Sequence, residues 1–409
     1  MRAIRAGVCL LAGFAVLAHG AVEAWSEAIL EIGAATLFLL WGVVVARKPG
    51  IALRGNWLFV PVLGLGGLAL AQFAFALSVY PYATKLALLR GAACLLLAFL
   101  AVQAFQTMDH IRRFVWFLLG LGFFVSLLGI VQHLTFNGKL YWIRVLRQGG
   151  APFGPFVNHH HFAGFVELIV PFGLALLFGT AVPRDKRLLL ALFTVLPIGA
   201  LVLTTSRGGI LSFLVQIVLL GFLTRTSEPR AKRLRTAASL ALMAGILVAW
   251  LGVDAALRRW ETSSPAEISR DRRGAMFRDT WQIFLDHPWI GTGLGTLRTV
   301  YPQYESYYDG RVVDHAHNDY LELLADTGLL GGAFAASFLI LLFWRAARNL
   351  RAAGTPFGCA FYCGGVVACA GLLVHSLVDF NLHIPSNALL FFLVAFLTSG
   401  SINEPQKTG

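Results

Sequence analysis

Charge is what this chain has least of. Asp, Glu, Lys and Arg make up 13% of its 409 residues, where a soluble domain carries about 25%. Acids are scarcer than bases, 21 Asp and Glu against 33 Lys and Arg, and the hydrophobic share is 57%. Mean hydropathy is +0.71. A water-soluble chain of this composition would have no surface to offer water, which leaves an all-α polytopic membrane protein. Cysteine is also sparse. Cys9, Cys94, Cys359, Cys363 and Cys369 all lie inside apolar runs, and no histidine stands near the Cys359–Cys363 spacing, so they read as small core residues. Internal repeats and low-complexity segments are absent, which leaves one membrane domain.

Long apolar runs are abundant. Segments able to cross about 30 Å of hydrocarbon fall near 4–22, 28–46, 57–77, 84–106, 114–133, 161–181, 188–205, 208–224, 236–254, 319–344, 357–379 and 384–402. The first has a basic start like a signal peptide, but the topology works with it retained as a span. The loops between segments alternate in charge. RKPGIALRGN, DHIRR, VPRDKR, RTSEPRAKRLR and RAARNLRAAG are short and basic, and the positive-inside rule puts them in the cytoplasm with both termini. The net charge of +12 is then largely a topological signal, and nucleic acid is excluded as a partner. Two long loops, about 134–160 and 255–318, fall on the outer side. The second exceeds what a connector needs. Within it Phe277, Trp281, Phe284 and Leu285 recur at helical spacing, predicting a short amphipathic helix that lies on the interface or caps a cavity. Pro288 and Gly291 end it.

Polar residues gather where these outer loops meet the spans. In DHAHNDYLELLADTGLLGG, residues 314–332, Asn318, Glu322 and Asp326 share one helix face. A polar stripe entering the bilayer is expensive unless it faces a cavity or finds partners. His315 and His317 stand at its mouth, with Asp319 beside them. Asn158-His159-His160-His161 opens another span, with Glu167 a turn or two deeper and able to orient one of the histidines. Consecutive helical residues point apart, so the three do not read as ligands of one ion; a polar rim for sugar or phosphate, with Asn158, His160 and His161 contributing, fits better. Thr204-Thr205-Ser206-Arg207-Gly208-Gly209 forms a tight outer turn, where Arg207 is either a snorkelling side chain or a fixed anion receptor. Arg270, Arg272, Arg273 and Arg278 place a basic group on the side that should be poor in Lys and Arg, which points to an anionic partner held bidentately. Gly291-Thr292-Gly293-Leu294-Gly295 has no strand before it, so it reads as a turn and not a nucleotide loop. His375 and Asp379 stand at i, i+4 and are expected to pair. The outer loops hold no D-x-D pair, so nothing argues for a metal-bound nucleotide sugar.

Taken in order, FVNHHHFAGFVEL, TTSRGGIL, DHPWIGTGLGTL with HAHNDYLELLADTGLLGG, and LVDFNLHIPSNALLF resemble the O-antigen ligase family, which includes related polysaccharide polymerases. His160 stands where the family commonly has Asn. The resemblance covers roughly 150–400 and divides the chain into N-terminal membrane helices, 1–135, and a ligase-related region, 136–409.

The resemblance implies a GT-C-like membrane glycosyltransferase that needs no metal or other cofactor. Its donor would be a glycan on undecaprenyl diphosphate at the periplasmic face of the bacterial inner membrane. Its acceptor would be lipid A–core in a ligase or another lipid-linked glycan in a polymerase. The family's functional residues fall on Arg207, Arg273 and His317. Two arginines would stabilise the leaving diphosphate. His317 would take the acceptor proton, its tautomer fixed by Asp319 or Glu322. Arg272, Arg278, His315 and Asn318 complete the expected binding set. A transporter is the rival of a different class, but the polar residues cluster at the outer face instead of the midplane.

Overall fold

The computed structural model describes residues 1–48, 50, 52–146, 151–179, 181–224, 270–308 and 310–402, with only the backbone of Arg270 and Asp271. Among these residues the chain is a helical bundle. In order, its helices are α1 Arg2–Leu17, α2 Ala24–Ala46, α3 Phe59–Ala74, α4 Pro81–Ala104, α5 Met108–Leu134, α6 His159–Glu167, α7 Val170–Phe178, α8 Arg184–Leu203, α9 Arg207–Leu223, α10 Arg270–Asp286, α11 Leu297–Val300, α12 Asp319–Ala352, α13 Pro356–His375 and α14 Pro385–Ser399. A two-residue antiparallel pair, β1 Lys139–Leu140 and β2 Arg144–Val145, lies between α5 and α6. Seven stretches are long and apolar enough to cross a membrane, counting α6 and α7 as one; α3, α9 and α14 are shorter and apolar.

Eleven of the twelve expected segments fall on helices, and the one at 236–254 lies outside the described residues. The segment expected at 161–181 is two helices, because Pro171 has no N–H to continue the ladder and opens α7 instead. Side-chain caps fix several starts: Asn158 for α6, Ser206 for α9, Asn318 for α12 and Thr355 for α13. Each accepts from a backbone N–H that the first turn leaves unpaired.

The alternation expected from loop charge is present in the helix order. The basic residues around 47–54, 109–113, 184–187 and 345–351 collect at one end, where the N-terminus of α1 also lies. The starts of α2, α4, α6, α9, α12 and α14 meet at the other end. Exposed Trp25, Tyr80, Tyr82 and Trp289 ring that second end, and Trp57 and Trp344 the first, as interfacial aromatic belts do. The amphipathic helix α10 splits its faces. Met276 and Ile283 are buried in a small separate core with Leu297, Tyr301 and Ala316, while Trp281 and Leu285 are exposed.

The glycine-rich turn is a structural splice. Gly328 has φ +62 and breaks α12 after Thr327. The break frees the carbonyls of Ala325 and Asp326 for Thr292 N and Gly293 N, and Asp326 Oδ2 accepts from Gly295 N at 2.6 Å. A Cβ on Gly291, whose φ is +70, would stand 2.2 Å from the Asp326 carbonyl carbon. Gly291→Ala therefore adds left-handed strain to a backbone clash. The expected cost is about 2–4 kcal/mol, read as a lowered thermal midpoint of the purified protein. Gly66→Ala, with open space at its Cβ, is the control.

Candidate active site

A cavity of about 1860 Å³ opens at the end of the bundle away from the basic loops. Its wall brings together residues far apart in sequence: His159, His160 and His161 from α6, Arg273 from α10, His315 and His317 before α12, Glu322 on α12, and Phe380 and His383 between α13 and α14. Phe380 is the hub. His315 stacks on it at 4.4 Å between ring centres, and His317 and His161 meet it edge-on at 4.8 and 4.7 Å.

His317 precedes the Asn318 cap and takes the left-handed conformation, φ +51. That costs a non-glycine residue about 1–2 kcal/mol and fixes where the ring points. Its Nδ1 lies 3.2 Å from Asp379 Oδ1. This corrects the expectation that Asp319 or Glu322 orients it. Burial alone would push the Asp379 carboxyl up, but the His317 hydrogen bond and the His161 and His160 imidazoles hold it well below the usual carboxylate range. Among the described residues nothing bonds His317 Nε2, which leaves that nitrogen for the cavity.

Glu322 and Asp319 serve a second histidine cluster. Glu322 takes His315 Nδ1 at 2.7 Å and lies 3.2 Å from His383 Nε2, and Asp319 takes His383 Nδ1 at 2.8 Å. Burial lowers the His383 pKa, but these carboxylates win and raise it from 6.5 to about 9. A raised folded value means the clamp's stabilisation is complete below about pH 6.5 and fades as pH climbs through about 9. Wild type should therefore lose thermal stability across pH 6.5–9 by more than His383→Gln does, as differential scanning fluorimetry in a buffer series would record.

The remaining expected residues sort cleanly. Asn318 is a cap, with its amide on Leu377 O. Asn158 caps α6 and lines the cavity. His160 Nδ1 lies 2.7 Å from Ser206 Oγ, and the Arg273 charge acts on its ring. His161 stands 3.9 Å from Asp379. Arg272 is buried and donates to Arg311 O. Arg278 is exposed and off the cavity wall. Arg207 is exposed at the first position of α9; Thr205 lines the cavity, Arg207 does not. Arg270 has no described side chain. The expected His375–Asp379 pair is replaced, because α13 ends at His375 and the chain turns. His375 instead meets Glu167 at 2.9 Å inside the bundle, so Glu167 orients His375 and none of the α6 histidines.

Among the described residues two groups hold three ligand-type atoms within 4.8 Å of one another, His160–His375–Asp379 and His315–Glu322–His383. Their members already have partners in Ser206, Glu167, His317 and Asp319. Within the second set Glu322 pairs directly with both His315 and His383; the members of the first each pair with a residue outside it.

A bundle of membrane-length helices, with a histidine- and arginine-lined cavity at one end, has the architecture of a polytopic membrane protein. Residues 192–336 match the family model described as O-Antigen ligase. The matched stretch is about a third of the chain, and over it the protein is similar to that family. The match includes Arg207, Arg273, His315 and His317 and leaves His161, Asp379 and His383 outside. No curated protein matches the chain.

Proposed function

We propose that the protein is a glycosyltransferase of the bacterial inner membrane that moves a glycan from undecaprenyl diphosphate to an acceptor hydroxyl on the periplasmic face. The observation that carries the reading is His317, tied by Nδ1 to Asp379 and facing the same cavity as Arg273. The acceptor oxygen bonds to the anomeric carbon as the bond from that carbon to the diphosphate oxygen breaks. The acceptor proton passes to His317 Nε2, and the ionised Asp379 stabilises the imidazolium that forms. Charge developing on the departing undecaprenyl diphosphate falls to Arg273, with Arg207 at the α9 rim as a second receptor. Asn158, His160, His161 and His315 hold the sugars. The arginines supply the positive charge that a divalent cation would otherwise bring. The positive-inside rule supports an outward-facing cavity, since the short basic loops lie at the far end.

The acceptor decides between ligase and polymerase. A deletion strain complemented with wild type or His317→Ala, profiled for lipopolysaccharide and undecaprenyl-linked glycan by gel and mass spectrometry, tests both points. Long polymer left on the lipid carrier identifies a ligase, and accumulated single repeat units a polymerase. A wild-type profile from His317→Ala at normal protein level would overturn the reading.

A further inference from the structure

The cavity has a second charged wall, away from the histidines. Glu23 and Glu27 stand at the start of α2, one helical turn apart. Glu27 Oε1 meets Arg90 Nε of α4 at 2.6 Å, and Glu23 Oε1 meets Arg144 Nη2 of β2. All four residues line the cavity. Arg90 stands nine residues into α4, about 13 Å along its axis from Pro81, but its guanidinium meets a glutamate only three residues into α2. The pair therefore sits near the start of α2, close to the exposed Trp25 at the end of the bundle where the cavity opens. Deeper along α4 the cavity wall turns apolar at Cys94, and Leu65, Ala388 and Phe392 line the same cavity.

Two features separate these pairs from internal cross-links. First, they are not sealed. The side chains of Arg90 and Glu27 keep 37% and 20% exposure, and those of Arg144 and Glu23 keep 32% and 30%. Ionisable groups at membrane depth are costly and are retained where they face a cavity with work to do. Second, each guanidinium is half used. Among the described residues Arg90 has one partner, Glu27 at Nε, and Arg144 has one, Glu23 at Nη2. A guanidinium held by one edge presents the rest of its fork in a fixed direction, which suits a phosphate oxygen pair.

We propose that Arg90 and Arg144, positioned by Glu27 and Glu23, form a second anion subsite that holds the phosphate of an acceptor lipid, its acyl or prenyl chain lying along the apolar slot below. The assignment rests on the glycosyl-transfer reading for the word acceptor. Transfer between two membrane lipids needs two amphiphiles side by side, and one pole at Arg273 serves the donor. The shared chemistry is a phosphate on a lipid. It belongs to lipid A–core in a ligase and to a second undecaprenyl diphosphate in a polymerase.

The test uses the full chain in detergent, with an undecaprenyl-diphosphate-linked glycan as donor. The acceptors are bisphosphorylated lipid A–core, its dephosphorylated form, and an undecaprenyl-diphosphate-linked repeat unit. The Arg90→Gln/Arg144→Gln variant should raise the KM of one phosphorylated acceptor about 10–100-fold, the loss of charge-assisted hydrogen bonds, without raising donor KM. The phosphorylated acceptor so affected names the lipid. Wild type should show a similar loss with the dephosphorylated acceptor if that lipid is lipid A–core. Arg90→Lys, which keeps the charge, should recover part of the affinity. A rise in donor KM with acceptor KM unchanged would overturn the proposal, as would an equal penalty on the dephosphorylated acceptor. Native mass spectrometry with bisphosphorylated lipid A and undecaprenyl diphosphate separates this from failure of the transfer reading. If wild type transfers to no acceptor, the double variant should still lose one bound anionic lipid, and unchanged lipid occupancy sinks the subsite itself.

Discussion

His317→Ala is expected to slow transfer by about 10²–10⁴-fold, the range that a positioned base contributes, with donor binding and protein level unchanged. The structure sharpens that expectation through Asp379, whose carboxylate fixes Nδ1 as the hydrogen-bonded nitrogen. Asp379→Asn keeps the volume and loses the charge that steadies the imidazolium. An amide can also turn its NH₂ toward Nδ1 and select the wrong tautomer, so the loss should be on the order of 10²-fold. Added imidazole should restore part of the turnover in His317→Ala, because a small base can enter the space left by the ring. It should do nothing for Asp379→Asn, where the ring is still in place. Steady-state rates with purified protein, with and without imidazole, read all of this. Rescue of both variants or of neither would assign His317 a packing role.

Residues close in sequence were the legible part of the site. His315, His317, Asp319 and Glu322 lie within one short motif at a span mouth, and three of them line the cavity. Helical spacing misled where the helix stopped. His375 and Asp379 are four apart, but α13 ends between them, and Asp379 swings to a histidine 62 residues away. Glu167 was placed near the right cluster and attached to the wrong histidine for the same reason: sequence carries no crossing angle between α6 and α13. His383 carried only a weak signal, a lone imidazole in FNLHIP. Arg90 had a stronger one, an arginine within the apolar segment 84–106, and the cost of such a residue in lipid is enough to mark it. Its partner Glu27 lies on another helix, which only the fold supplies.

The bundle itself was legible because its driving force is one-dimensional. Apolar runs and basic loops can be read off in order, so eleven segments and their alternation reappear. Their boundaries depended on local chemistry instead. Pro171 cut one segment in two and Gly328 broke another, each through backbone geometry that hydropathy does not register. The Gly328 break fastens α12 to the 291–295 turn, and so holds the helix that begins just after His317 against the segment carrying α10 and Arg273.

Arg273→Ala should cost about 10²–10³-fold in kcat, the loss seen when one preorganised donor to a developing anion is removed. Arg273→Lys should recover only part, since an ammonium returns the charge without the planar fork. The neighbouring arginines separate the roles. Arg272 is buried and holds the Arg311 carbonyl, so Arg272→Ala should show first as a lowered thermal midpoint. Arg278 is exposed away from the cavity, and Arg278→Ala should change turnover by less than Arg273→Ala does. Arg207 is the informative case. If Arg207→Ala costs as much as Arg273→Ala at normal stability, the donor diphosphate spans from the α10 wall past Thr205 to the start of α9, and the leaving group lies across the rim of the cavity. If its cost is small, Arg273 carries the leaving-group charge inside the cavity, close to the histidines that handle the proton. Either outcome narrows the path along which the glycan leaves its lipid, because His317 and Arg273 line one cavity and Arg207 lies off its wall.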